Sequence, residues 1–222
     1  MGTLDYQNRD DSKKEKEASG GLLRALFGPS KEEVWRQLAE QIDAAYVGGG
    51  FGRADKVVAE VGPWAVTLDT FTESSGEHRT TYTRLRAPYV NRDGFRFKVY
   101  RAGFFTSVGK MLGMQDIEVG NAAFDEAFVV QGNDEAKAKA LLADGEVRRL
   151  IAAQPRIRLE VRDDEGWFGK HFPEGVDELY FAAAGVIKDV DRLRQLFDLF
   201  ALVLHRLCHL GSAYETDPGI SL

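Results

Sequence analysis

The chain has 222 residues, and 44% are apolar and 29% charged, which excludes disorder throughout and gives ample material for a core. Its net charge of −6 argues against a life on nucleic-acid phosphates, which favours a basic surplus or stripe. Cys208 is the single cysteine, so an intrachain disulfide and a multi-cysteine zinc site are both excluded.

Residues 1–20 interleave Asp5, Asp10, Asp11, Lys13, Lys14, Glu15, Lys16 and Glu17 with almost nothing apolar, which predicts a disordered charged tail. The tail has no apolar stretch like that of a signal peptide, and no run of about 18 apolar residues follows anywhere. A cytoplasmic protein without a transmembrane helix is the expectation. Residues 21–29 form a short apolar segment in which Leu22, Leu23, Leu26 and Phe27 are too few to make a stable helix alone. Full burial of each is worth about 1.5–3 kcal/mol, so the segment suits docking to this domain or to a protein partner. Sequence leaves these two receivers equal.

Residues 30–211 read as one α+β domain. Ser30 and Glu33 have capping-box spacing. Val34, Leu38 and Ile42, with Trp35 and Ala45 beside them, predict a helix that runs to Gly48-Gly49-Gly50. Four antiparallel strands are expected over 57–61, 64–71, 79–87 and 95–100. In the last, Phe95, Phe97 and Val99 point one way and Arg96, Lys98 and Tyr100 the other. A short helix is predicted over 103–113, a strand over 128–131, and two helices after Asp134 that stop before Pro155. Ile157, Leu159 and Val161 alternate as a strand, 163–177 form a loop, and 178–187 another strand. Leu193, Leu196, Phe197, Phe200, Val203, Leu204, Leu207 and Leu210 keep helical spacing in the last and longest helix. Gly211 ends it, and 212–222 read as a loose tail. The sum is a mainly antiparallel sheet packed by helices, with a long central C-terminal helix.

Phe124-Asp125, then Phe128 and Val130, a polar turn at Asn133-Asp134 and the paired Leu141-Leu142 form a recognisable pattern. With Trp167-Phe168 and Gly185 to Asp189 it resembles an uncharacterised bacterial domain-of-unknown-function family over roughly 50–222. The resemblance implies no activity and no catalytic residue. Similar proteins carry transmembrane helices with this domain on the cytoplasmic side, which points to the cytoplasmic membrane surface; this chain departs from them in lacking such helices.

Four groups of residues invite a chemical reading. His205, Cys208 and His209 share a helix face as metal donors could, but Arg206 stands where a zinc-protease motif needs Glu, and the histidines also simply continue a polar face. Asp163, Asp164 and Glu165, beside Trp167, Phe168 and His171, could form an acid–base site or a solvated turn. The glycines around Phe51 lack the Lys and Ser/Thr of a phosphate loop and read as a helix stop. Arg84, Arg86, Arg96 and Lys98, with Arg101, come from neighbouring strands; together they would bind an anion, or else form the ordinary wet face of a half-buried sheet.

No Gly-x-Ser-x-Gly elbow appears, and no cofactor, metal ligand or catalytic residue is assigned. The reading is a non-enzymatic protein-interaction or adaptor domain. Its alternative is a small-ligand protein or enzyme with a site near Asp163 and His171 or on the His205/His209 face.

Overall fold

A computed structural model describes residues 28–50, 54–103, 114–163 and 171–222. The first helix, α1 (Lys31–Gln41), opens with the expected box. Ser30 Oγ accepts from the Glu33 amide at 3.2 Å, and the Glu33 carboxylate accepts from the Ser30 amide at 2.8 Å. The helix stops at Gln41, short of the glycines. Asp43 takes a left-handed conformation (φ 52°), which a short polar side chain tolerates. The chain reverses there into strand β1 (Ala45–Val47), so Ala45 belongs to the sheet and not to the helical stripe.

The remaining strands are β2 (Lys56–Val61), β3 (Trp64–Ser75), β4 (His78–Val90), β5 (Phe97–Arg101), β6 (Gln115–Asp116), β7 (Phe128–Gly132), β8 (Arg158–Arg162) and β9 (Val176–Ala184). They form one sheet in the order β1-β2-β3-β4-β9-β8-β5-β7-β6, and every neighbouring pair is antiparallel. The short helices α2 (Ala122–Ala127), α3 (Glu135–Leu142) and α4 (Gly145–Ala152) precede the long α5 (Val190–His209). The class is α+β with a long C-terminal helix.

One face of the sheet carries the core. Val57, Val66, Leu68, Leu85, Ala87, Phe97, Val99, Leu159, Val161, Leu179 and Phe181 alternate along their strands and join a single apolar cluster with the buried sides of the helices. From α5, Leu193, Leu196, Leu199, Phe200, Val203, Leu204 and Leu207 are fully buried in it. Trp35 of α1 locks to the strand exit by donating its indole N–H to the Ile187 carbonyl at 3.2 Å.

The helix expected over 103–113 falls, from 104 onward, outside the described residues. Helix α2 has no apolar periodicity to announce it, yet its local chemistry is clear. Asn121 accepts from the Phe124 amide, and the Asp125 carboxylate gathers the amides of Val119, Gly120 and Asn121 at 2.9–3.0 Å. Phe124 then stacks on Phe128 with ring centroids 4.6 Å apart. The Phe-Asp…Phe pattern is thus a turn lock followed by an aromatic clasp onto β7.

The stretch 212–222 is not a loose tail. Ser212 accepts from the Arg92 amide, and Tyr214 donates its amide to the Val90 carbonyl at 3.1 Å. Farther on, Lys56 Nζ reaches the Leu222 oxygen at 2.7 Å. Residues 217–222 therefore lie against β2 and β3, on the face opposite the helices.

Candidate functional site

The straight antiparallel register sends every second residue of each strand away from the helices. One cross-strand row spans all nine strands: Ala45, Val58, Thr67, Arg86, Tyr180, Glu160, Lys98, Gln131 and Asp116. The row on one side contains Asp69, Arg84, Ala182, Arg158 and Tyr100. The row on the other contains Pro88, Glu178 and Arg162. Charged groups of opposite sign thus alternate between adjacent strands, the arrangement that favours cross-strand pairing.

The pairing is extensive. Asp69 receives Arg84 Nε at 2.6 Å and Nη2 at 3.0 Å, and Arg86 Nη2 at 3.0 Å. Arg162 Nε donates to Glu178 Oε1 at 2.6 Å, and its guanidinium lies 3.4 Å from the Tyr180 ring centroid. Glu160 is flanked by Lys98 at 3.2 Å and by Arg158 at 2.8 Å. These last two approaches lack hydrogen-bond angles, so charge holds the Glu160 oxygens, not aligned donors. At the row's far end, Gln131 donates to Asp116 at 2.9 Å.

A wet sheet face was one reading of this basic stretch. Its centre is instead buried: Glu178 is 0%, Glu160 1%, Lys98 3% and Arg86 5% exposed. Burial raises the Glu178 pKa, and the Arg162 guanidinium pulls only part of the way back. Burial lowers Lys98, against the attraction of Glu160, and lowers Arg86 despite Asp69. Burial also raises the Tyr180 phenol.

The residues expected to bind an anion are divided by this geometry. Arg84, Arg86 and Lys98 share the second face, each already paired with a carboxylate. Arg96 lies just before β5 and turns elsewhere, meeting Asp163 at 3.0 Å and Asp177 at 3.2 Å. Asp177 in turn accepts from Asn91 Nδ2. Arg101 reaches the opposite way, donating to the Ala152 and Gln154 carbonyls at the end of α4. The sequence pattern sets Arg158 and Glu160 opposite Leu159 and Val161 on their strand without pairing them to the basic residues, and it gives Asp69, Arg162 and Glu178 no part in the site. The alternation Arg158, Glu160, Arg162 between buried Leu159 and Val161 was the available signal.

The docking residues Leu22, Leu23, Leu26 and Phe27 lie outside the described residues, as do Asp164, Glu165, Trp167 and Phe168. Asp163 pairs with Arg96, and His171 is exposed. On α5, His205 and His209 are exposed; His205 sets its ring edge-on to Trp64 at 5.5 Å. Among the described residues no group of three or more His, Cys, Asp or Glu is placed to hold a metal ion. The glycines after β1 wrap Asp55, which accepts from the Gly49 amide at 2.8 Å and pairs with Lys31 at 2.8 Å. That is a strand-to-strand connection tied back to α1. No described helix is long and apolar enough to cross a membrane.

No protein-family model matches the chain, and no curated protein matches it. Among solved structures, the fold is similar to the crystal structure of the mycobacterial trehalose monomycolate transport factor A, TtfA, with a TM-score of 0.42 and 10% identity over 78% of this chain and 95% of that one. A likeness so distant carries nothing about what this chain does.

Proposed function

We propose that this is a non-enzymatic interaction domain of the cytoplasm that holds a protein partner against the second face of its sheet. The observation that supports this is the interlocked charge lattice running from Asp69 through Arg86 to Glu178, Glu160 and Lys98. Paired and buried charges are poorly placed to shuttle protons, but they fix a rigid pattern of alternating polarity. The buried pairs hold in place the partly exposed Asp69, Arg84, Arg158 and Arg162 around them, and that outer pattern selects a partner by electrostatic complementarity and penalises a mismatched one. The apolar residues 22–27 provide a second, tethered contact in this reading, on the partner or at the membrane surface.

Site-specific photocrosslinking in the native cell tests the proposal. A crosslinker replacing Glu73, exposed toward the end of β3, should give a discrete protein adduct, whereas one replacing Glu40, exposed on α1, should not. Starting the chain at Ser30 should weaken the adduct. The reading fails if the second face yields no adduct, or if both positions yield the same set.

A further inference from the structure

On the same face, a groove of about 280 Å³ opens beyond the charge lattice. Its floor is made by Ala182 and Ala184 of β9, with Ala183 turned to the core. Neighbouring positions on the flanking strands are large: Ala182 stands opposite Arg84, and Arg158 lines the other side. Two alanines among arginines and aromatics leave a trough one side chain deep. One wall is Phe71 stacked on Tyr82, centroids 5.1 Å apart and planes 15° from parallel. The buried Tyr180 closes the end nearest the lattice, and Arg158 and Arg156 form the facing wall.

The far end stays open because the strand is diverted there. Gly185 adopts φ 91°, a left-handed conformation natural only to glycine. Its carbonyl accepts from the Thr83 amide and hydroxyl at 3.0 and 2.8 Å, and the chain leaves the sheet toward α5. No side chain of β9 therefore fills the trough beyond Ala184.

The walls have unused capacity of two kinds. The aromatic wall offers half-exposed π surface, chiefly on Tyr82, since Arg84 lies over the Phe71 ring at 4.9 Å, and the exposed Glu73 stands at its outer end. Arg158 meets Glu160 through Nη2 at 2.8 Å, yet its side chain remains 39% exposed where it lines the groove. A guanidinium is built to receive a carboxylate or phosphate through paired donors. We infer that this groove is a binding site for a small ring-bearing anion, with the ring laid between the Phe71/Tyr82 wall and the alanine floor and the carboxylate or phosphate on Arg158. The volume admits one such group and is below the usual range for a drug-sized ligand. The site needs no protein partner, so it stands apart from the reading above.

The probes are benzoate and phenylphosphate, with benzamide as the uncharged ring and inorganic phosphate as the ringless anion. Amide spectra of the full chain would be titrated with each. Both ring anions should bind with Kd on the order of 1 mM or tighter, shifting the amides of Ala182 to Gly185, with each control at least about tenfold weaker. Ala184→Leu, at an exposed position, should fill the trough and abolish binding without unfolding the protein. Arg158→Gln should weaken both anions about tenfold and leave benzamide unchanged. Absence of binding by either ring anion overturns the inference. So does binding that survives Ala184→Leu, or inorganic phosphate that binds as tightly as phenylphosphate, which would leave only a cationic surface.

Discussion

Replacing Glu178 by glutamine asks whether burial or pairing governs the centre of the second face. Glu178 is fully buried, with one oxygen 2.6 Å from Arg162 Nε and the other, Oε2, without a hydrogen bond. Truncation to alanine removes one partner of a buried pair and should cost about 3–5 kcal/mol, chiefly by leaving the neighbouring guanidiniums uncompensated. Glutamine keeps the shape and can still accept from Arg162. It exchanges a charge-assisted bond for a neutral one, a loss of about 1 kcal/mol, and is spared the desolvation of a carboxylate. Burial holds the carboxyl above its ordinary value of 4.5. Between that value and the raised one, the folded protein binds the proton more firmly than the unfolded chain. Wild-type stability from this group is therefore complete at the acid end and is lost as pH rises through the folded pKa. Glutamine does not titrate, so it should gain on wild type as pH rises, by about 1.4 kcal/mol for each unit of elevation. Urea unfolding of both proteins at about pH 5 and about pH 7.5 measures this, since groups common to both cancel in the difference. If glutamine instead loses ground at the higher pH, the arginines outweigh burial and the account of the lattice given above is wrong.

Two further outcomes follow from other parts of the chain. Asp144 caps α4, accepting from the Glu146 amide at 2.8 Å, and also pairs with Arg206 of α5; Asp144→Ala should cost about 1–2 kcal/mol in urea unfolding and Asp144→Asn much less, and equal losses would mean that the Arg206 pair dominates the cap. Cys208 is half-buried, and burial, with Glu215 nearby, pushes its thiol up; iodoacetamide should alkylate it at least about threefold more slowly than a free cysteine peptide at mildly alkaline pH, and an equal rate would show an accessible, unperturbed thiol.

Local pattern carried the parts of this fold that local physics decides. The apolar spacing from Leu193 to Leu207 exceeds what a surface helix needs, and α5 lies at the centre of the core. The Ser30/Glu33 box fixed the start of α1, but nothing in the apolar stripe revealed that Asp43 would break it, because a left-handed residue is a backbone event and leaves no periodic trace. Helix α2 was missed for the converse reason. Its stability lies in Asp125 binding three amides and in one aromatic stack, not in an apolar stripe.

The candidate site was legible only where its partners are close in sequence. Asp69 and Arg84 face each other across a hairpin, so a turn near Gly76 already implies their register. Lys98 meets Glu160, and Arg86 comes beside Tyr180, only because β9 and β8 enter the sheet between β4 and β5. Strand order of that kind is set by how the helices cover the other face, which alternation within one strand cannot encode. The groove is the extreme case. Ala182 and Ala184 are among the least informative residues in the chain, and in isolation they read as weak strand formers. They acquire meaning from what stands beside them: with Arg84 and Tyr82 on one side and Arg158 and Arg156 on the other, the missing side chains become a space of defined size and polarity. A small residue in a charged sheet face is therefore worth the same scrutiny as a charged residue in a core, since each departs from its surroundings in a way that packing alone does not require.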